Sequence, residues 1–260
     1  MLLTFDVGNT ETTLGLYDGD EIRAHWRVMT DVARSSDEFG VLLRGLLDAS
    51  GIPIADVTGA AIGSVVPRVT TPLADACRRW LPATRVEVID GRSTLPITLD
   101  VEEPLTVGAD RIVNTLAASR RYRRDAIVVD LGTATTFDCI TKDAVFLGGV
   151  IAPGVSSSAE TLFRRTSKLP ATELVAPARV IGKRTEECIR AGVMFGAAES
   201  IDGIVRRIRA EWPTGDVPMV IGTGGLAETF APLCTSFDEV DPYLTLYGLS
   251  LAFALVAPPA

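Results

Sequence analysis

The chain has a single histidine, His25, among 260 residues. A Ser–His–Asp triad or an imidazole-rich metal site would rest on that one ring. Its place before Trp26 in an alternating segment reads instead as a strand side chain. Cysteine is nearly as scarce. Cys77, Cys139, Cys188 and Cys234 form no CxxC pair and have no histidine at metal-ligand spacing, which argues against a zinc site and fits a reducing compartment. No uninterrupted apolar run approaches the ~20 residues that span a bilayer, and no basic leader precedes an apolar segment. These absences predict a soluble, cytoplasmic protein. Basic charge is also short. Lys and Arg number 25 against 33 Asp and Glu, and the formal net charge of −8 argues against a nucleic-acid or anionic-membrane binder. A small anionic substrate stays open, because it needs only a local cluster of donors.

What the chain has is apolar residues, 47% of the total, enough for one large domain or two ordinary ones. It opens on Leu2–Leu16, where an apolar run feeds Asp6, then Gly8, then the small polar residues Asn9, Thr10, Thr12 and Thr13, then a second apolar run. The pattern predicts strand, tight turn, return strand. Such a turn is either an ordinary polar hairpin or a phosphate cradle of backbone N–H groups with a carboxylate facing a metal. Asp18-Gly19-Asp20 then turns into an alternating third strand, Glu21–Val28. Ser35 and Glu38 stand at capping-box spacing before a helix whose stripe is Phe39, Leu42, Leu43, Leu46 and Leu47, ended by Gly51. A buried strand at 60–66, a helix carrying Leu73, Ala76, Cys77 and Trp80, and a strand at 85–90 follow. Pro104–Arg111 leads into a helix through Ile112, Leu116 and Ala117. Its end, Ser119–Arg124, places cations where they complement a helix dipole; the alternative is a phosphate or RNA patch.

The opening pattern then returns. Ala126–Ile140 again runs strand, Asp130-x-Gly132, hydroxyl-rich turn, strand, with a third strand at 146–151. Asp6 and Asp130 hold equivalent places in a duplicated unit. Helices are predicted at 157–168, from Gly182-Lys183-Arg184-Thr185 towards Phe195, at 197–210 and at 244–254. A strand at 218–221 and a Gly-rich turn, Gly222–Ala227, precede the last of these, and the Pro-rich end reads as frayed. The reading is two α/β halves, 1–118 and 119–260, with the site in the cleft between them.

Duplicated strand-turn-strand units with Asp-x-Gly at the turn resemble the actin, sugar kinase and Hsp70 ATPase superfamily. Within it the chain resembles the type III pantothenate kinases almost end to end. The motifs are Asp6-Val7-Gly8-Asn9-Thr10, Gly108-Ala109-Asp110-Arg111-Ile112-Val113-Asn114, Asp130-Leu131-Gly132-Thr133-Ala134-Thr135-Thr136, Gly148–Gly154, Gly182–Thr185 and Thr223-Gly224-Gly225. The resemblance implies duplicated ribonuclease H-like, actin-like ATPase domains of mixed sheets flanked by helices. It implies transfer of the ATP γ-phosphate to pantothenate, the entry step of coenzyme A synthesis. On the family pattern Asp6, Val7, Gly8, Asn9, Thr10, Glu11, Thr12 and Thr13 line the ATP phosphates, with Asp6 near magnesium and Thr133 on the second wall. Gly108, Ala109, Asp110 and Arg111 hold pantothenate together with Thr185, and Asp110 is the catalytic base. Val101 stands where many members carry a substrate-contacting tyrosine. Asp130 binds a monovalent cation, potassium or ammonium, and the active form is a homodimer. Neither turn carries a lysine, so metal ions are left to neutralise the phosphates.

Two rival readings exist. Gly222-x-Gly224-x-x-Ala227 loosely fits a dinucleotide fingerprint, though too near the chain end for a full Rossmann sheet. A catalytically weak member of the family would act as a nucleotide-binding accessory protein.

Overall fold

The computed structural model describes residues 1–81, 85–166 and 169–256. They divide into two units. Unit 1 holds Met1–Arg121, Ala144–Phe146 and the chain from Leu244 on; unit 2 holds Tyr122–Asp143 and Leu147–Tyr243.

In unit 1, strands β1 (Leu2–Val7), β2 (Glu11–Asp18) and β3 (Glu21–Met29) form the antiparallel meander, and His25 lies on the exposed face of β3. Helix α1 (Ser36–Ala49) starts from the Ser35–Glu38 capping box, with Gly51 at φ +68° just past its end. Strand β4 (Gly59–Ser64) is followed by α2 (Pro67–Trp80), where Pro67 takes the first-turn place that needs no N–H donor. Strand β5 (Arg85–Ile89) completes a sheet ordered β3-β2-β1-β4-β5. Alternation along β1 sends Leu3, Phe5 and Val7 into a core with Phe39, Leu43, Leu73 and Cys77. Thr4 and Asp6 leave by the opposite face. Strand β6 (Thr98–Leu99) pairs with Val145 and Phe146, and α3 (Ala109–Tyr122) follows. Arg120 and Arg121 do fall in the last turn of α3.

Unit 2 repeats the plan. Strands β7 (Ala126–Leu131), β8 (Ala134–Ile140) and β9 (Val145–Pro153) are its meander, and β10 (Met219–Thr223) and β11 (Glu239–Val240) extend the sheet as β9-β8-β7-β10-β11. The registers coincide as well. Asp6 pairs with Thr13 and Gly63, and Asp130 pairs with Thr136 and Thr223. Asp125, at the foot of β7, is buried, which pushes its carboxyl up. Hydrogen bonds from Thr214 Oγ1, Trp212 Nε1 and Lys142 N–H outweigh that and hold it below the ordinary carboxylate range.

Helix α4 (Val155–Arg165) starts two residues before the expected helix, because Val155 is buried and anchors its first turn. The helix ends at Arg165, where Thr166 turns to extended backbone, short of the expected end at Lys168; Lys168 itself and the Pro-rich C-terminus lie outside the described residues. The two expected helices, one opened by Gly182–Thr185 and running towards Phe195 and one at 197–210, are one, α5 (Thr185–Ala210). Gly196 in its interior costs about 1 kcal/mol. The buried stripe of Ala191, Met194, Ala198, Ile201 and Val205 runs through it unbroken, and that packing decides. The Gly-rich turn opens a helix of four residues only, α6 (Ala227–Phe230). The last helix, α7 (Leu244–Leu255), returns to unit 1 and lies against β1 and β4.

Candidate active site

The first turn is held at several points. Gly8 N–H donates to Glu11 O at 3.0 Å. Thr30, just past β3, donates its hydroxyl to Gly8 O at 2.7 Å and its N–H to Thr10 O at 2.9 Å, and its Oγ1 lies 2.9 Å from Thr12 Oγ1. Thr12 is buried and spends its hydroxyl there, and Val7 points into the core, so Val7 has only its backbone to offer a ligand. Asn9, Thr10 and Glu11 stand exposed at the tip, and Asp6 and Thr13 are half-buried side by side. Thr30 has no local signature in the sequence. Thr30→Val removes both side-chain hydrogen bonds, to Gly8 O and with Thr12 Oγ1, each about 1 kcal/mol net. The expected result is a melting temperature lowered by roughly 4–8 °C, read by thermal unfolding; an unchanged value would show that the turn holds itself.

Asp110 reaches the same edge of the sheet. Gly63 pairs with Asp6, and a Cβ built on it would lie 3.6 Å from Ala109 Cβ. The first turn of α3 therefore sits beside the carboxyl ends of β1 and β4, where open α/β sheets bind ligands. Asp110 Oδ1 accepts the Arg111 N–H at 2.9 Å. It also occupies the space above Gly108, whose Cβ would stand 2.4 Å away. Only glycine at 108 leaves room for this rotamer.

Arg111 is fixed by a residue the sequence reading missed. Its guanidinium lies over the Phe146 ring, 4.9 Å from the centroid. Phe146 O accepts the Asp100 N–H at 2.9 Å, which delivers Val101 to the same neighbourhood. Gly108, Ala109, Asp110, Arg111, Val101 and the Asp6 turn are thus gathered in unit 1.

In unit 2, Asp130, the last residue but one of β7, lies between two glycines. A Cβ on Gly132 would lie 3.7 Å from its Oδ1, and one on Gly224 only 2.3 Å. Gly224 also has φ +86°, so the Gly-rich turn closes on Asp130. A four-residue helix behind that turn is a poor dinucleotide cradle. Thr133 is exposed at the tip, and its carbonyl accepts Ser157 Oγ at 2.8 Å and packs against Gly154. The chain beyond the third strand braces the turn here, as Thr30 does in unit 1. Thr185 is exposed at the start of α5. There Glu187 accepts the Lys183 and Arg184 N–H groups, which hold its carboxyl below the ordinary range.

Residues 2–207 match the family model described as type III pantothenate kinase. A protein of that name from Moorella thermoacetica is 43% identical over 254 residues, covering 97% of this chain and 98% of its own. One from Roseiflexus is 45% identical over 257 residues, covering 98% and 99%. Among solved structures, the ROK hexokinase of Thermus thermophilus is similar with a TM-score of 0.50 at 12% identity, covering 98% of each chain. That likeness concerns the fold, the duplicated mixed-sheet architecture of the sugar kinases and actin-like ATPases.

Proposed function

The chain belongs to the type III pantothenate kinase family, and from that premise we propose how its residues phosphorylate the primary hydroxyl of pantothenate with ATP. The product is 4'-phosphopantothenate, and the step opens coenzyme A synthesis. The matched relatives are named as kinases, which gives the accessory-protein alternative no support. The observation that carries the mechanism is the Asp110 carboxylate, fixed by the Arg111 N–H and Gly108 beside the Asp6 turn.

Phosphoryl transfer through a loose transition state needs positioning and charge neutralisation more than a strong base. Asp110 is too weak to ionise an alcohol beforehand. It orients the hydroxyl and accepts its proton as the oxygen–phosphorus bond forms. Arg111, steadied over Phe146, offers two parallel N–H donors to the pantothenate carboxylate, with Val101 and Thr185 as further substrate contacts. The 6–13 turn and Thr133 hold the nucleotide phosphates through backbone N–H groups and hydroxyls, with Asp6 near the magnesium of ATP. Asp130 is the monovalent-cation residue. Its carboxylate, with threonines in register on both flanks, is the hard oxygen donor set an alkali cation takes. When bound, the cation supplies positive charge beside the phosphates. A homodimer belongs to the same reading. The exposed Leu162, Phe163, Val180 and Ile181 of unit 2 support it, and light scattering on the purified chain reads it directly.

The test is ADP release coupled to pantothenate in potassium, in sodium and with no alkali cation. Pantothenate-dependent turnover in potassium that collapses in sodium is expected. No pantothenate-dependent turnover overturns the kinase reading. Equal rates in both salts remove the specific cation role of Asp130 and leave the kinase standing.

A further inference from the structure

Thr223 carries a hydroxyl that no described residue satisfies. The residue is 1% exposed, and its Oγ1 has no hydrogen-bond partner among the described residues. An unpaired buried hydroxyl is costly, and in native proteins it points to an ordered water or ion at that place. Thr223 ends β10 in parallel register with Asp130, so both side chains leave the sheet by the same face. On the other flank Thr136 of β8 stands in register with Asp130. One row across three strands reads hydroxyl, carboxylate, hydroxyl.

The duplication supplies an internal control. The corresponding row in unit 1 is Thr13, Asp6 and Gly63. There the third place is glycine, and a Cβ on it would lie 2.9 Å from Leu249 Cδ2. Packing fills in unit 1 the space that a hydroxyl takes in unit 2. A threonine methyl could have been supplied by valine, which suits a buried strand better. The oxygen is the feature left unexplained by packing.

We propose that Thr223 Oγ1 is, together with the Asp130 carboxylate, a direct ligand of the monovalent cation. The inference rests on the assignment of that cation to Asp130. One carboxylate balances one positive charge, and a neutral hydroxyl adds a hard oxygen without over-charging the site. This distinguishes the second turn from the first, where Asp6 has no such neighbour on β4.

The experiment uses the full chain without nucleotide. Thermal unfolding is followed in potassium chloride against choline chloride at constant ionic strength, and thallium(I) binding is read by thallium NMR. The variants are Thr223→Val, Thr223→Ser and Asp130→Asn. Wild type and Thr223→Ser are expected to gain stability with potassium and to bind thallium, and Asp130→Asn to do neither. Thr223→Val should unfold at or above the wild-type temperature in choline, because the oxygen it loses has no partner, while its potassium and thallium affinities fall about tenfold or more. Thr223→Val with wild-type cation affinity, beside an unresponsive Asp130→Asn, overturns the inference and leaves Asp130 as the cation residue. A Thr223→Val chain destabilised in choline assigns the hydroxyl to the fold and also overturns it. A wild-type chain with no potassium response and no thallium binding removes the cation assignment and the inference together.

Discussion

Asp110→Asn is expected to cut turnover by about 10²- to 10⁴-fold while the protein still folds and binds ATP. The asparagine is isosteric. Its Oδ1 can still accept the Arg111 N–H at the 2.9 Å separation and still lie over Gly108. What it loses in stability is the attraction of a charge to the first turn of α3, about 0.3–1 kcal/mol. What it loses in the transition state is the acceptor for the hydroxyl proton. The rate loss corresponds to roughly 3–5 kcal/mol, so chemistry dominates structure at this residue. Steady-state ADP release and thermal unfolding on the same preparation separate the two. A KM for ATP near wild type is expected, since the turn proposed to hold the nucleotide, residues 6–13, is built from other residues. Undiminished turnover would remove Asp110 from the mechanism.

The two turns were legible because everything that defines them is local. A strand's alternation, one carboxylate, one glycine and a few hydroxyls fall within fifteen residues, and the pattern around Asp6 returns around Asp130. What holds each turn was not legible. Thr30 and the Gly154–Ser157 segment act on carbonyls more than twenty residues earlier in the chain, and no period or spacing marks such a contact. Phe146 under Arg111 is the same case across a longer separation. Helix α5 was misread for another reason. Gly196 is a local breaking signal, and the buried stripe that overrides it depends on tertiary packing. Two motif glycines now have physical grounds: Gly108 makes room for Asp110, and Gly224 lets the backbone close on Asp130.

Gly248→Ala tests whether the last helix positions α3, which carries Asp110. The sequence of α7 is apolar nearly all round, which marks a buried helix but not its neighbours. In unit 1 it lies against β1 and β4 and crosses α3 so closely that a Cβ on Gly248 would stand 2.2 Å from Val113 O and 2.7 Å from Val113 C. Val113 is one turn along α3 from Asp110, and a helix backbone cannot rotate aside as a side chain can. Alanine gains about 1 kcal/mol of helix propensity. Forcing two helix backbones apart costs typically 1–3 kcal/mol and occasionally more, and here the obstacle is main chain on both sides, so the clash wins. A net loss of about 2 kcal/mol lowers the melting temperature by roughly 4–8 °C in a chain of this size. Activity should fall further than stability, because a shift of about 1 Å in a catalytic group can cost 10²-fold. Gly45→Ala is the control. It lies exposed in α1 with no atom within 4 Å of its added Cβ, and should raise the melting temperature slightly and leave turnover alone. If Gly248→Ala instead melts and turns over like wild type, α3 and α7 can separate freely, and their close crossing does not set the place of Asp110.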